Sequence, residues 1–332
     1  MNRRLFLASA AFLTCVALMQ AVLAITAAQP TGARLLRAAT TLFDSLSDEQ
    51  KKAALFEFSS EERFNWHFIP KERKGLTLKD MQESQRANVT AVLEAGLSKT
   101  GARRAQDVMS LEDVLREIEG PKRRFPRDPL LYHVFFFGKP SRADRWGFRF
   151  EGHHLSASFT LLGTDLLSAT PLFYGANPGL VKEGPKKGLR VLAGEEDLAR
   201  ALVTSLSEEQ LKSARGEGDP EEVPGTEKSK YTGPFPQGIA TDTLSRDQKE
   251  ALRKLLKQYS TSLSDDVAAK LLREADGELK DLHFSWRGGL KSGEAHSYMV
   301  YSPAFMINYI NAQNDALHVH SCLRLLNGEF GL

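Results

Sequence analysis

What most constrains this chain is the order in which two hydrophobic periods follow one another. Leu35, Leu36, Ala39, Leu42, Phe43 and Leu46 recur at i, i+4, i+7 and i+8, so they share one face of a helix. Leu111, Val114, Leu115 and Ile118 repeat that period after Ser110, and a further helix is expected over 77–95. From Leu130 the pattern changes to aromatic and β-branched runs, Tyr132 to Phe137 and then Trp146, Phe148 and Phe150 in alternation, which read as strands. Helices are expected again over 195–206, at Leu252, Leu255, Leu256 and Tyr259, and at Val267, Leu271, Leu272 and Ala275; 282–326 returns to strands. This order predicts an α+β fold, with a mainly helical N-terminal part packed on a mostly antiparallel β-sheet built from the middle and C-terminal segments.

Local chemistry punctuates the pattern. Ser47-Asp-Glu-Gln50, Ser207-Glu-Glu-Gln210 and Ser245-Arg-Asp-Gln248 each set a hydroxyl and an amide three residues apart, as a capping box requires. They mark helix starts, and because their flanking sequences do not match, the recurrence is read as capping and not as an internal repeat. The Gly-, Pro-, Glu- and Lys-rich segment 215–238 reads as an exposed, mobile loop. Residues 29–332 are expected to form a single α+β domain, long enough to bury a sizeable core.

Residues 1–28 have the layout of a secretory signal peptide: Arg3 and Arg4, an apolar run from Leu5 to Met19, then Ala21, Ala24, Ala27 and Ala28. The run is short for a membrane anchor, so a secreted or periplasmic protein with no stable span after leader removal is expected. Removing Arg3 and Arg4 takes the 44 basic residues to 42, equal to the 42 acidic ones. A balanced surface argues against nucleic acid as a partner. No phosphate loop or dinucleotide fingerprint occurs, so no nucleotide cofactor is expected. Cys15 falls in the leader, which leaves Cys322 without an internal disulfide partner.

The histidines carry the chemistry. On a strand, His318, His320, Cys322 and Arg324 share one face, while Leu317, Val319, Leu323 and Leu325 share the other. Two imidazoles, a thiol and a guanidinium are unusual on a plainly solvated face, which points to a pocket. His153 and His154 form a second cluster where the apolar parity slips, from even positions up to Phe150 to odd ones from Leu155, and a β-bulge near Gly152 is expected there. If the clusters converge, His153, His154, His318 and His320 form a transition-metal site, with zinc or copper preferred to iron. Glu151 would then act as base and Arg324 would steady developing negative charge. Asn311, Gln313 and Asn314 either bind substrate or form a turn. Trp66-His67, His133, His283 and His296 read as packing or satisfied polar groups, and the Asn88-Val-Thr90 sequon falls inside an expected helix.

Trp146-Gly-Phe-Arg-Phe-Glu-Gly-His-His-Leu-Ser156, Gly175-Ala-Asn-Pro178 with Glu195-Glu196, and Asn311-Ala-Gln-Asn314 followed by His318-Val-His320 and Arg324 together make a recognisable set. Through them the chain resembles the secreted proteins catalogued as domain of unknown function thirty-five hundred, over nearly all of the mature chain. The resemblance implies no reaction, substrate or cofactor, and it implies an apolar residue where this chain has Cys322. The expectation is therefore an exported metal-binding protein acting on a small molecule or extracellular substrate, as a metal-dependent hydrolase or oxidoreductase. The alternatives are a non-catalytic extracellular binding module and a metal-free hydrolase using histidines as acid and base.

Overall fold

The computed structural model describes residues 29–122, 124–277 and 281–332; the expected signal peptide and Cys15 lie outside them. The chain opens with α1 (Thr31–Asp44) and α2 (Asp48–Ala54), followed by the short strands β1 (Leu55–Phe56) and β2 (Leu76–Thr77). Next come α3 (Glu83–Gly96), α4 (Lys99–Glu119) and the strands β3 (His133–Phe137), β4 (Arg145–Gly152), β5 (Leu155–Leu162), β6 (Asp165–Ser168) and β7 (Leu172–Ala176). The sequence of elements then starts again. Helices α5 (Ala193–Thr204) and α6 (Glu208–Ala214) lead to β8 (Ile239–Ala240), α7 (Arg246–Ser260) and α8 (Asp265–Gly277). The strands β9 (His283–Gly288), β10 (His296–Tyr301), β11 (Phe305–Ala312) and β12 (His318–Leu325) close the chain. No described helix is long and apolar enough to cross a membrane.

The described strands join one sheet in the order β1-β3-β4-β5-β7-β12-β11-β10-β9-β8, with β2 on β3 and β6 on β5, and among them only β1 pairs in parallel. The α+β class with a mostly antiparallel sheet is therefore the observed one. The order is also palindromic, and the registers repeat. Trp146 faces Leu161 as His296 faces Asn311, and Leu76 faces Val134 as Ile239 faces Phe284. Leu55 pairs in parallel with Phe136, and Arg215 with Trp286. Gln50 and Gln85 exchange amide hydrogen bonds of 3.0 and 2.8 Å, and Gln210 and Gln248 exchange bonds of the same lengths. Two halves thus share one architecture, and Leu172–Leu323 and Leu97–Leu263 pair where the halves meet.

The three motifs cap helix starts as expected, but their recurrence follows the repeated architecture, contrary to the sequence reading. The boxes at Ser47 and Ser207 are equivalent, and the counterpart of the Ser245 box starts at Gln82, where glutamine takes the capping place. The expected bulge near Gly152 is likewise absent. Gly152 pairs with Leu155, so His153 and His154 are the two-residue loop of a β4–β5 hairpin. The chain reversal sets Phe148 against Phe159 and Phe150 against Ala157, which exchanges even for odd without any extra residue.

The helices cover one face of the sheet. Val134, Phe136, Phe148, Tyr174, Tyr309 and Leu323 pack into the main core with Leu35, Val92, Leu111 and Leu255. The other face carries a smaller apolar cluster in which Phe173 and Cys322 meet Trp66, Phe68, Val223 and Phe330. Trp66 and Phe68 belong to the irregular segment between β1 and β2, and Val223 to that between α6 and β8. Two equivalent straps therefore cross this face.

Candidate metal centre

On the strap-covered face, the Nε2 atoms of His154, His318 and His320 converge. They lie 2.8 Å apart for His154–His318, 3.1 Å for His318–His320 and 3.2 Å for His154–His320. Among the described residues these three form a group able to hold one metal ion. An ion about 2.0–2.1 Å from each nitrogen would set neighbouring nitrogens about 2.9 Å apart at right angles and about 3.3 Å apart at tetrahedral angles. The observed separations of 2.8–3.2 Å lie within about 0.1 Å of that range.

Strained backbone delivers the rings. His154 has φ 62, and Asn314, Asp315 and Ala316, in the turn before β12, have φ 54, 56 and 55. A non-glycine residue in this left-handed region costs roughly 1–2 kcal/mol, and such residues gather where geometry serves function. The turn is tied to the strand by the His318 backbone N–H, which donates to Asn311 Oδ1 at 3.2 Å. Between the two ligand-bearing elements runs β7, and Gly175 on it pairs with His320. A Cβ at Gly175 would lie 2.9 Å from both Cγ and Cδ2 of His154, so the glycine leaves room for that ring to reach across the strand.

Burial and neighbouring charges disfavour protonation of His154 and His318. Burial, then the neighbouring His153, His320 and His318, hold His154 well below the ordinary histidine range. Burial, then His320, His153 and Arg127, lower His318 to about 3. His320 Nδ1 lies 2.9 Å from each carboxylate oxygen of Glu222. A proton donated there leaves the Nε2 lone pair facing the centre, the arrangement by which carboxylates orient metal-binding imidazoles. Rings flank the site, with Phe68 at 4.7 Å and Phe173 at 5.6 Å from His320. His154 and His320 are buried and His318 is half-buried, so the last forms the side nearest solvent.

The remaining residues singled out from the sequence lie elsewhere. His153 stacks on His154 at 3.7 Å, but its Nδ1 sits 2.5 Å from Glu112 and 3.1 Å from Arg127, away from the nitrogen triangle. Glu151 is ion-paired with Arg73 at 2.7 Å and Arg149 at 3.1 Å. Arg324 is fully buried and holds Glu329 and the carbonyls of Gly225 and Lys228, which pins the second strap. Asn311 braces His318 and Asn314 lies 3.4 Å from Asn177, while Gln313 is exposed. Cys322 is buried in the apolar cluster, and burial pushes its thiol well up. His296 is buried against Trp286, and His133 and His283 occupy equivalent places on β3 and β9. Sequence reasoning missed Glu222 and Gly175. The signal for the first was an acidic pair in a Gly- and Pro-rich strap, and for the second the Gly-Ala-Asn-Pro motif itself.

Residues 28–332 match the family described as Protein of unknown function (DUF3500). The chain belongs to that family. No curated protein and no solved structure matches it. Family membership thus supplies no chemistry, and the site must be read from its own atoms.

Proposed function

We propose that the protein is a transition-metal protein whose ion is held by the Nε2 atoms of His154, His318 and His320. The observation that carries this reading is the approach of three buried or half-buried imidazole nitrogens to within 2.8–3.2 Å of one another. Three neutral lone pairs at that distance repel unless a cation or a proton lies between them. One proton can bridge only one pair at a time, whereas a cation engages all three.

Imidazole donors favour zinc or copper, and the set of three includes no carboxylate of the kind that marks the two-histidine iron sites. An ion with three protein ligands keeps a position for water or substrate and supplies Lewis acidity there. The protein's own residues fix the ring orientations through Glu222, Asn311 and Gly175 and keep the site largely dry through Phe68 and Phe173. We read the activity as metal-assisted chemistry on a small molecule, hydrolytic before oxidative, in an exported protein. The export reading rests on the charged, apolar and small-residue order of residues 1–28.

Metal analysis of protein purified without an affinity tag tests the reading. One zinc or copper per chain, lost in His318→Ala, is expected. A metal-free wild type that takes up neither ion on dialysis would contradict it and would favour metal-free acid–base chemistry.

A further inference from the structure

Beside the triad lies a cavity of about 600 Å³, and His153 stands between the two: its ring stacks on His154 at 3.7 Å and lines the cavity. Pro70, Phe125, Pro126, Leu131 and Tyr132 give the walls their carbon surface. The charged groups along them are already paired. Glu112 is held by His153 at 2.5 Å and faces Arg127 at 4.0 Å, Arg73 is held by Glu151 at 2.7 Å, and Asp128 by the Leu130 N–H at 2.9 Å and Lys79 at 3.5 Å. At the exposed mouth stand Lys71 and Glu72, of opposite sign. Each charge along the interior is therefore already partnered, and the volume suits a small organic ligand.

A second hollow, about 460 Å³, lies beside the second strap and is lined by Tyr231, Phe235 and the C-terminal residues Leu326–Glu329 and Leu332. Pro303 stands there where the first half has His153. No histidine lines this hollow, whereas the cavity beside the triad is lined by His133 and His153.

We propose that the cavity beside His153 binds a neutral, ring-bearing organic molecule, and that this molecule is the substrate of the metal centre. The substrate assignment rests on the metal reading above; the binding assignment does not. The walls would take the rings by apolar contact, and the His153–Glu112 pair would meet the polar end.

N-phenyl-1-naphthylamine, a neutral aromatic amine that fluoresces in apolar surroundings, is the probe. Wild-type protein should bind it at one site. Leu131→Arg, which sets a cation among the carbon walls, should weaken binding at least 10-fold, and so should Pro126→Trp, which fills the cavity from an exposed position. Phe235→Arg, in the other hollow, should leave it unchanged. Equal affinity in both cavity variants, or an equal loss in Phe235→Arg, would overturn the site. Binding that persists in His318→Ala after the metal is gone supports the cavity even if the metal reading fails. In cobalt-loaded wild type, saturating probe should shift the visible absorption bands. Unchanged bands alongside tight binding would overturn the link between the cavity and the metal.

Discussion

The two halves of this protein build hairpins of the same register and put different chemistry on them. In the first half the loop between β4 and β5 is His153-His154, and the Gly175 N–H donates to the His154 carbonyl at 2.7 Å. In the second half the equivalent loop carries Pro303 and Ala304, and the Leu326 N–H donates to the Ala304 carbonyl at the same 2.7 Å. The strand that follows differs too. β12 runs unbroken and carries His318 and His320, whereas its counterpart is split into β6 and β7 and has no histidine. The scaffold closes this hairpin without an imidazole. The histidines of the first half are therefore not what the fold requires, which separates function from structure more cleanly than burial does.

The largest expected effect breaks the site and spares the fold. His154→Ala gives the first hairpin the residue found in the second, and its metal affinity should fall by more than the roughly 100-fold that loss of an outer partner costs. Its metal-free form should unfold cooperatively within roughly 2–4 °C of the metal-free wild type, the shift that about 1 kcal/mol produces. Calorimetry and metal titration check both. Collapse of the fold would mean that the two hairpins are not equivalent.

Gly175→Ala comes next. Its methyl group would press on His154, and overpacking of this kind costs about 1–3 kcal/mol. Metal affinity should fall with stability, while Leu326→Ala, at the counterpart position, should leave metal binding unaltered in the same titration. Glu222→Gln keeps the shape but removes the charge beside His320, and a loss of about 10- to 100-fold in metal affinity is expected. The smallest effect sharpens the symmetry itself. Gln85→Leu and Gln248→Leu each break one of two matching amide pairs, and denaturant melts should show similar losses of about 1–3 kcal/mol.

Much of this was legible in the sequence because it is local. The helix faces at Leu35 to Leu46 and at Leu252 to Tyr259, the capping boxes, and the alternation of β12 follow from nearest neighbours along the chain. His154, His318 and His320 stood out as two clusters, and the sheet order brings them together through β7. His153 differs from His154 because adjacent loop residues point differently, and Glu112 from α4 captures its ring. The duplication stayed hidden because its halves share few identities, and Gln82 in the place of a serine concealed the fourth capping box. Glu222 was hidden for another reason. Nothing local tells which acid of an irregular strap will reach a strand about 100 residues further on, and here the 98-residue separation to His320 is spanned by tertiary packing of Val223.

The most direct test of the account is an anomalous diffraction map from crystals of zinc-loaded protein, recorded on either side of the zinc edge. A single peak within bonding distance of Nε2 of His154, His318 and His320 is the predicted result. Zinc bound elsewhere, or by His153 and Glu112 in place of the nitrogen triangle, would contradict it.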